Sequence, residues 1–265
     1  MLDWLKRIAT PAPREQLIKN ENQPLQTEEP VERLVSRLGN KERGAGLTPM
    51  RVIVVASQKG GAGKTTVAAH LAVRAGMAGQ GPVILVDMDP QGSLTEWWDA
   101  RNDGPSTQNN DPLLATMQLD ALSAKLAELR SEGVAVAIID TPPALTESIE
   151  RVIAIADLVL IPARPSPHDL RAMGATVNIA RRVGKPFLFV INGAAPRANI
   201  TAEAVAALSE HGRVAPVILY QRTEYASSMI DGRTVMETSA LGRSAQEIAE
   251  LWKYVYAQIT MRAAA

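Results

Sequence analysis

From position 51 onward, short runs of uninterrupted apolar residues alternate with longer segments in which apolar residues recur every three or four positions. The runs are VIVVAS (52–57), VILVD (83–87), VAVAIID (134–140), LVLIP (158–162), FLFVIN (187–192) and VAPVILY (214–220), with LLATMQL (113–119) as a weaker seventh. A strand without polar alternation is covered on both faces, the pattern of a parallel sheet between helix layers. The stretches 64–79, 120–132, 144–155, 168–183, 201–210 and 240–262 read as those helices. The alternation predicts one α/β domain over residues 49–262, a doubly wound, mostly parallel sheet of about seven strands with helices on both faces.

Residues 1–48 follow a different pattern. Pro11, Pro13, Pro24 and Pro30 stand among Gln, Asn, Glu and Lys with little to bury, so this stretch is expected to be a flexible polar tail. Within it Val31, Leu34, Val35 and Leu38 fall at helical spacing before Gly39, and Met1, Trp4, Leu5 and Ile8 share a second short apolar face. Neither is long enough to persist alone; the face at the N-terminus either docks a partner or rests on the domain.

Composition narrows the function. Across 265 residues, 28 Lys+Arg balance 28 Asp+Glu, so a basic nucleic-acid coat and an acidic disordered chain are both excluded and any DNA binding must come from a local patch. The absence of cysteine excludes a disulfide scaffold, a thiolate metal site, an iron–sulfur cluster and a cysteine nucleophile. No apolar run approaches the roughly 18 residues of a membrane span, and the N-terminus lacks the apolar core of a signal peptide, so a soluble, cytoplasmic protein is expected.

The chemistry is densest where the first strand meets the first helix, at Lys59-Gly60-Gly61-Ala62-Gly63-Lys64-Thr65-Thr66. Phosphate oxygens need backbone N–H donors, a cation and close approach, so glycines, a lysine and a helix N-terminus must coincide. Lys64 would hold the β- and γ-phosphates and the Thr65 hydroxyl would ligate Mg²⁺. Gln58 stands where the common GxxxxGK[ST] loop has its first glycine, and Lys59 is added behind it.

This KGGxGKT form resembles the deviant phosphate loop of the ParA/MinD family of P-loop ATPases, and the resemblance runs over roughly residues 51–255. Asp87-Met88-Asp89-Pro90-Gln91 resembles the family's DxDPQ switch: by that resemblance Asp89 orients the attacking water, and Asp87 supports either Mg²⁺ or the loop. Asp140, ending the apolar strand before Thr141-Pro142-Pro143, resembles the second acidic motif, whose carboxylate holds a water on Mg²⁺. Asn192 resembles the family's adenine-contacting Asn, although an Asn at a strand end is also a turn former, and Pro216 to Tyr220 resembles the wall of the base site. The guanine-reading NKxD string is not obvious, which favours ATP.

The same resemblance assigns Lys59 to the phosphates of a partner subunit, so that ATP binding and homodimerisation become one linked event. Slow basal hydrolysis raised by a ParB-like or adaptor activator is then expected. Among branches of the family, electron carriers need cysteines that are absent here. A MinD-like membrane regulator would end in a basic amphipathic helix; here Ile248, Leu251, Trp252, Val255 and Ile259 instead fit a helix packed on the domain, so no stable membrane insertion is expected. Between Arg164 and Arg243 stand ten basic against six acidic residues, and Pro165-Ser166-Pro167-His168-Asp169-Leu170 resembles a string of the partitioning branch. The closest resemblance is therefore to ParA-type partition and positioning ATPases without an N-terminal helix-turn-helix domain. It implies nonspecific DNA binding and nucleoid association, with Arg222 and Arg233 as candidate DNA contacts. A small-molecule ligase of the dethiobiotin synthetase kind is a further alternative, one that would dispense with Lys59.

Overall fold

The computed structural model describes residues 49–104, 112–143 and 147–261, and residue 36 besides. The remainder of the 1–48 tail, with its two short amphipathic segments, lies outside the described residues. Seven strands form one sheet: β1 (Arg51–Val55), β2 (Val83–Asp87), β3 (Leu113–Ala115), β4 (Val136–Asp140), β5 (Leu158–Ala163), β6 (Phe187–Ala194) and β7 (Val214–Tyr220). Their order is β3-β2-β4-β1-β5-β6-β7, and every pairing is parallel. The helices are α1 (Lys64–Met77), α2 (Ser93–Asp103), α3 (Leu119–Ser131), α4 (Glu147–Ala154), α5 (Pro167–Arg182), α6 (Asn199–Ser209), α7 (Thr223–Ser228), α8 (Val235–Thr238) and α9 (Arg243–Met261), with a 3₁₀ turn at Met229–Asp231.

The uninterrupted apolar runs are explained by two cores. Val52 and Val54 of β1, Ala137 and Ile139 of β4, and Val159 and Ile161 of β5 face α3, α4, α5 and α6. Their neighbours Ile53, Val55, Val136, Ile138, Leu158 and Leu160 face α1, α2, α8 and α9. Successive side chains of a strand point to opposite faces, so with both faces roofed no position is left for a polar residue. The apolar face of α9 (Ile248, Leu251, Trp252, Val255, Ile259) is buried in the second core, as its periodicity predicts.

Two regions depart from the sequence expectation. Helix α2 lies outside the predicted helices because one of its buried positions is charged: Leu94, Trp97 and Arg101 share the inner face, and the arginine breaks the apolar stripe. The 223–238 region folds as short turns of helix, too brief to register as periodicity. Arg101 there donates to both carboxylate oxygens of Glu237, at 2.9 and 2.8 Å, and to the Gly232 carbonyl, while Trp97 Nε1 donates to the Arg233 carbonyl. Gly232 has φ +74°, and a Cβ there would lie 2.0 Å from the Arg101 nitrogen, so the close approach of the segment to α2 requires glycine.

His70 of α1 joins this region to the first core-facing helix. Val235 N–H donates to its Nε2, so the proton sits on Nδ1 and donates to the Thr66 carbonyl at 2.8 Å. Burial, opposed by that carbonyl and by the Glu237 charge, lowers the imidazole pKa to about 4. A base with a depressed native pKa stabilises the fold above its unfolded value near 6.5, and that contribution is lost as pH falls toward about 4. His70→Gln should remove about 2 kcal/mol of the stability lost between pH 7.5 and pH 5, read as the difference between the urea midpoints of parent and variant at the two pH values.

Candidate functional site

The carboxyl ends of β1, β2, β4 and β6 converge on one edge of the sheet, where the chain leaves β1 for one side and later returns to build the other. Open α/β sheets bind ligands at such a switch point. The β1 strand runs through Ala56 and Ser57 into a glycine-rich loop that ends at Gly63, the residue before α1. Gly63 has φ +88°, and a Cβ there would stand 2.1 Å from Asn192 Nδ2, so neither the turn nor the packing admits a side chain. At Gly60 and Gly61 a Cβ would meet nothing within 4 Å, so the loop is bordered by open space on that side.

Lys64 and Thr65 open α1, where the unpaired N–H groups and the helix dipole favour an anion. Lys64 is buried, and desolvation lowers its pKa against the attraction of Asp140 and Asp89. The Thr65 hydroxyl donates to Asp140 Oδ2 at 2.6 Å. Asp140 ends β4, and its buried Oδ1 has no hydrogen-bond partner. Burial pushes its carboxyl up to about 7; the Thr65 hydroxyl and Lys64 pull it down, while Asp87 and Asp89 add to the rise. This cluster of acids around a hydroxyl and an unpaired carboxylate oxygen fits a hard divalent cation. Mg²⁺ characteristically takes one or two protein groups together with phosphate oxygens, and Thr65 and Asp140 are the groups in position.

The remaining expected residues fall into place unevenly. Asp87 lies level with Asp140 on the neighbouring strand. Its Oδ2 accepts from the backbone and hydroxyl of Thr95, and its Oδ1 from Asp89 N–H, all within 3.0 Å. Of the two expected roles, the geometry is that of loop support. Asp89 is half-buried and holds the turn of its own loop through Gln91 N–H. Asn192 donates from Nδ2 to the Ala62 carbonyl at 2.7 Å, clamping the glycine loop from 130 residues away. Pro216 is not brought to the site: it is exposed at mid-strand in the edge strand β7, within a register shift against β6, where a residue without an N–H is tolerated. The carboxyl end of β7 is instead formed by Tyr220, followed by Gln221 and Arg222.

Lys59, half-buried, donates from Nζ to Asp169 Oδ2 at 3.0 Å. Asp169 lies in the first turn of α5 and takes a short hydrogen bond from Ser166, the residue that caps the helix. The two candidate DNA contacts are also paired: Arg222 with Glu247, and Arg233 with Asp231. Arg222 is turned inward, 22% exposed and stacked on Tyr220, whereas Arg164, Arg171 and Arg197 at the same edge are exposed.

A glycine loop between a central parallel strand and a helix, with GKT at the helix start and an aspartate on the adjacent strand, defines a P-loop nucleotide-binding protein. The profile of the CobQ/CobB/MinD/ParA nucleotide binding domain matches residues 53–235, and the chain belongs to that family. It is 33% identical over 205 residues to the "Maintenance of carboxysome distribution protein A" of Halothiobacillus neapolitanus, covering 74% of this chain and 91% of that protein. It is 31% identical to "Protein ParA" of Rhizobium radiobacter, covering 67% and 82%. The structure of apo McdA from Cyanthece has the same fold, with a TM-score of 0.63 at 24% identity over 77% of this chain and 98% of that one. Among the described residues, no helix is long and apolar enough to cross a membrane.

Gly63→Ala is expected to weaken nucleotide binding about 10- to 100-fold, the equivalent of the strain of a non-glycine residue at positive φ. Titration with a fluorescent ATP analogue measures this.

Proposed function

We propose that this chain is a Mg²⁺-dependent ATPase that dimerises on ATP, binds DNA without sequence preference, and positions or partitions a cargo whose bound partner triggers hydrolysis. The observation that carries the reading is the second lysine: Lys59 precedes a complete phosphate loop whose own Lys64 already occupies the helix start, and its ammonium is held at the start of the neighbouring α5. Such a cation is available to the phosphates of a second subunit facing the same edge.

In this reading the backbone N–H groups of 60–65 and Lys64 hold the triphosphate, and Thr65 and Asp140 hold Mg²⁺. The cation screens the phosphate charge. Asp89 orients the attacking water, its loop set by Asp87. Asn192 keeps the loop in register and stands beside the base. Lys59 from the opposite protomer stabilises the charge that develops in the transition state, as an arginine finger does elsewhere. Hydrolysis is slow until the partner completes the water's geometry.

The positioning reading is supported by the relatives, one of which is named for carboxysome distribution, and the DNA assignment rests on the exposed basic residues. Arg233 is the half-exposed candidate among them, joined by Arg164, Arg171 and Arg197. Against the rival membrane reading, the apolar face of α9 is already occupied by the core, so that helix is not free to lie on a membrane. The cargo is a DNA partition complex or a protein assembly, the latter in keeping with the carboxysome relative.

Electrophoretic shifts of random-sequence DNA with ATP, ADP and no nucleotide, at low and high salt, test the whole reading. A shift confined to ATP and lost at high salt is expected; ATP-dependent sedimentation with liposomes and no DNA shift would replace it with the membrane reading. Lys59→Ala should abolish ATP-induced dimerisation and turnover while nucleotide still binds. Arg233→Glu should weaken the DNA shift and leave ATP binding intact.

A further inference from the structure

The contact between Lys59 and Asp169 has no place in nucleotide binding itself, and one ammonium group cannot serve both this carboxylate and a phosphate of another subunit at full strength. We infer that Asp169 is a positioning residue that holds Lys59 in cis and must surrender it before two protomers can join; the inference rests on the trans assignment of Lys59 in the proposed function.

The carboxylate is placed to do this. Asp169 is buried, with its side chain 8% exposed, while that of Lys59 is 43% exposed. The acid is therefore the fixed partner and the lysine the movable one. Asp169 stands in the first turn of the 16-residue α5, where the helix dipole favours a negative charge. The Ser166 hydroxyl donates to the same Oδ2 that Lys59 reaches, and Ser166 in turn accepts from Asp169 N–H at 3.2 Å. When Lys59 leaves, the carboxylate keeps the hydroxyl and the dipole, so no buried charge is stranded.

The same geometry keeps the hold weak. The lysine end of the pair faces solvent, and a pair so screened contributes about 0.2–1 kcal/mol. Two such pairs, one per protomer, oppose dimerisation by a combined factor of about 2 to 30. That range is too small to forbid the dimer and large enough to set the protein concentration at which it forms. The pair thus biases the chain toward the monomer until ATP and local crowding on a surface overcome it.

The test is the dimer dissociation constant with a non-hydrolysable ATP analogue, measured by analytical ultracentrifugation on the full chain. Asp169→Asn should tighten the dimer about 2- to 30-fold and shift turnover to lower protein concentration. Asp169→Glu, which keeps the charge, should return the constant toward the parent. Ser166→Ala removes the helix cap but not the ion pair, and should lower thermal stability without tightening the dimer. If Asp169→Asn dimerises no more tightly than the parent while Lys59→Ala fails to dimerise, the cis hold is refuted and the trans role of Lys59 stands. If Lys59→Ala dimerises like the parent, the trans role fails and the hold fails with it.

Discussion

The hydrogen bond from Thr65 to Asp140, 2.6 Å long, joins the two halves of the nucleotide edge. One end belongs to the first turn of α1, the other to the last residue of β4, and the two strands that deliver them pair along five residues. Its chemistry is incomplete as it stands. A carboxylate in a dry sheet edge, with one oxygen unpartnered and two further aspartates nearby, is costly. The packing of Ile53, Val55, Ile138 and Ile139 around it supports that cost. In the proposed function a divalent cation would relieve this cost, because it would give the unpartnered oxygen a ligand.

The nucleotide edge is also tied mechanically to the 229–238 segment, by two independent routes. His70 hangs from the Thr66 carbonyl, one residue beyond Thr65, and receives Val235 N–H. Helix α2 is anchored at one end by Asp87 and grips the segment near its other end through Trp97 and Arg101. Arg101 and Glu237 form a largely buried, bidentate pair, and Glu237 also accepts from the backbone and hydroxyl of Thr234. Polar groups so placed fix one arrangement, since shifting any member leaves another unsatisfied. Arg233 is thereby carried on a segment whose backbone answers to both loops around the phosphates.

What was legible in the sequence follows from where the physics is local. The glycine loop could be read because backbone approach to phosphate demands glycines, lysine and a helix start in consecutive positions. The strands could be read because both faces are buried, and α9 because its stripe is unbroken. Helix α2 could not, since Arg101 occupies a core position by virtue of Glu237, 136 residues away. The contacts of Asn192 with Ala62 and of Lys59 with Asp169 join residues more than a hundred positions apart, and spacing carries no trace of them. Pro216 shows the converse: a resemblance placed it at the base, while the bulge in β7 leaves it at mid-strand, four residues before the strand ends at Tyr220.

The zero net charge takes on a structural meaning at this edge. Lys59, Arg222 and Arg233 are each matched to an acid of the same chain, Asp169, Glu247 and Asp231. The cations are present but internally answered, so in isolation the edge offers an anionic partner less field than its sequence implies. The matches differ in depth. Arg222 and Glu247 are largely withdrawn from solvent, and Tyr225 donates to the same carboxylate at 3.0 Å, so breaking that pair would strand a charge. The pair of Arg233 faces water, and that of Lys59 joins a half-exposed ammonium to a buried carboxylate that keeps the Ser166 hydroxyl; each is worth about 1 kcal/mol or less, less than a phosphate gains from an ammonium or guanidinium in a desolvated interface. Surrender of the internal carboxylate therefore costs little at those two positions and is strongly opposed at Arg222. Internal pairing of this kind holds half-exposed cations in place on a chain whose formal net charge is zero.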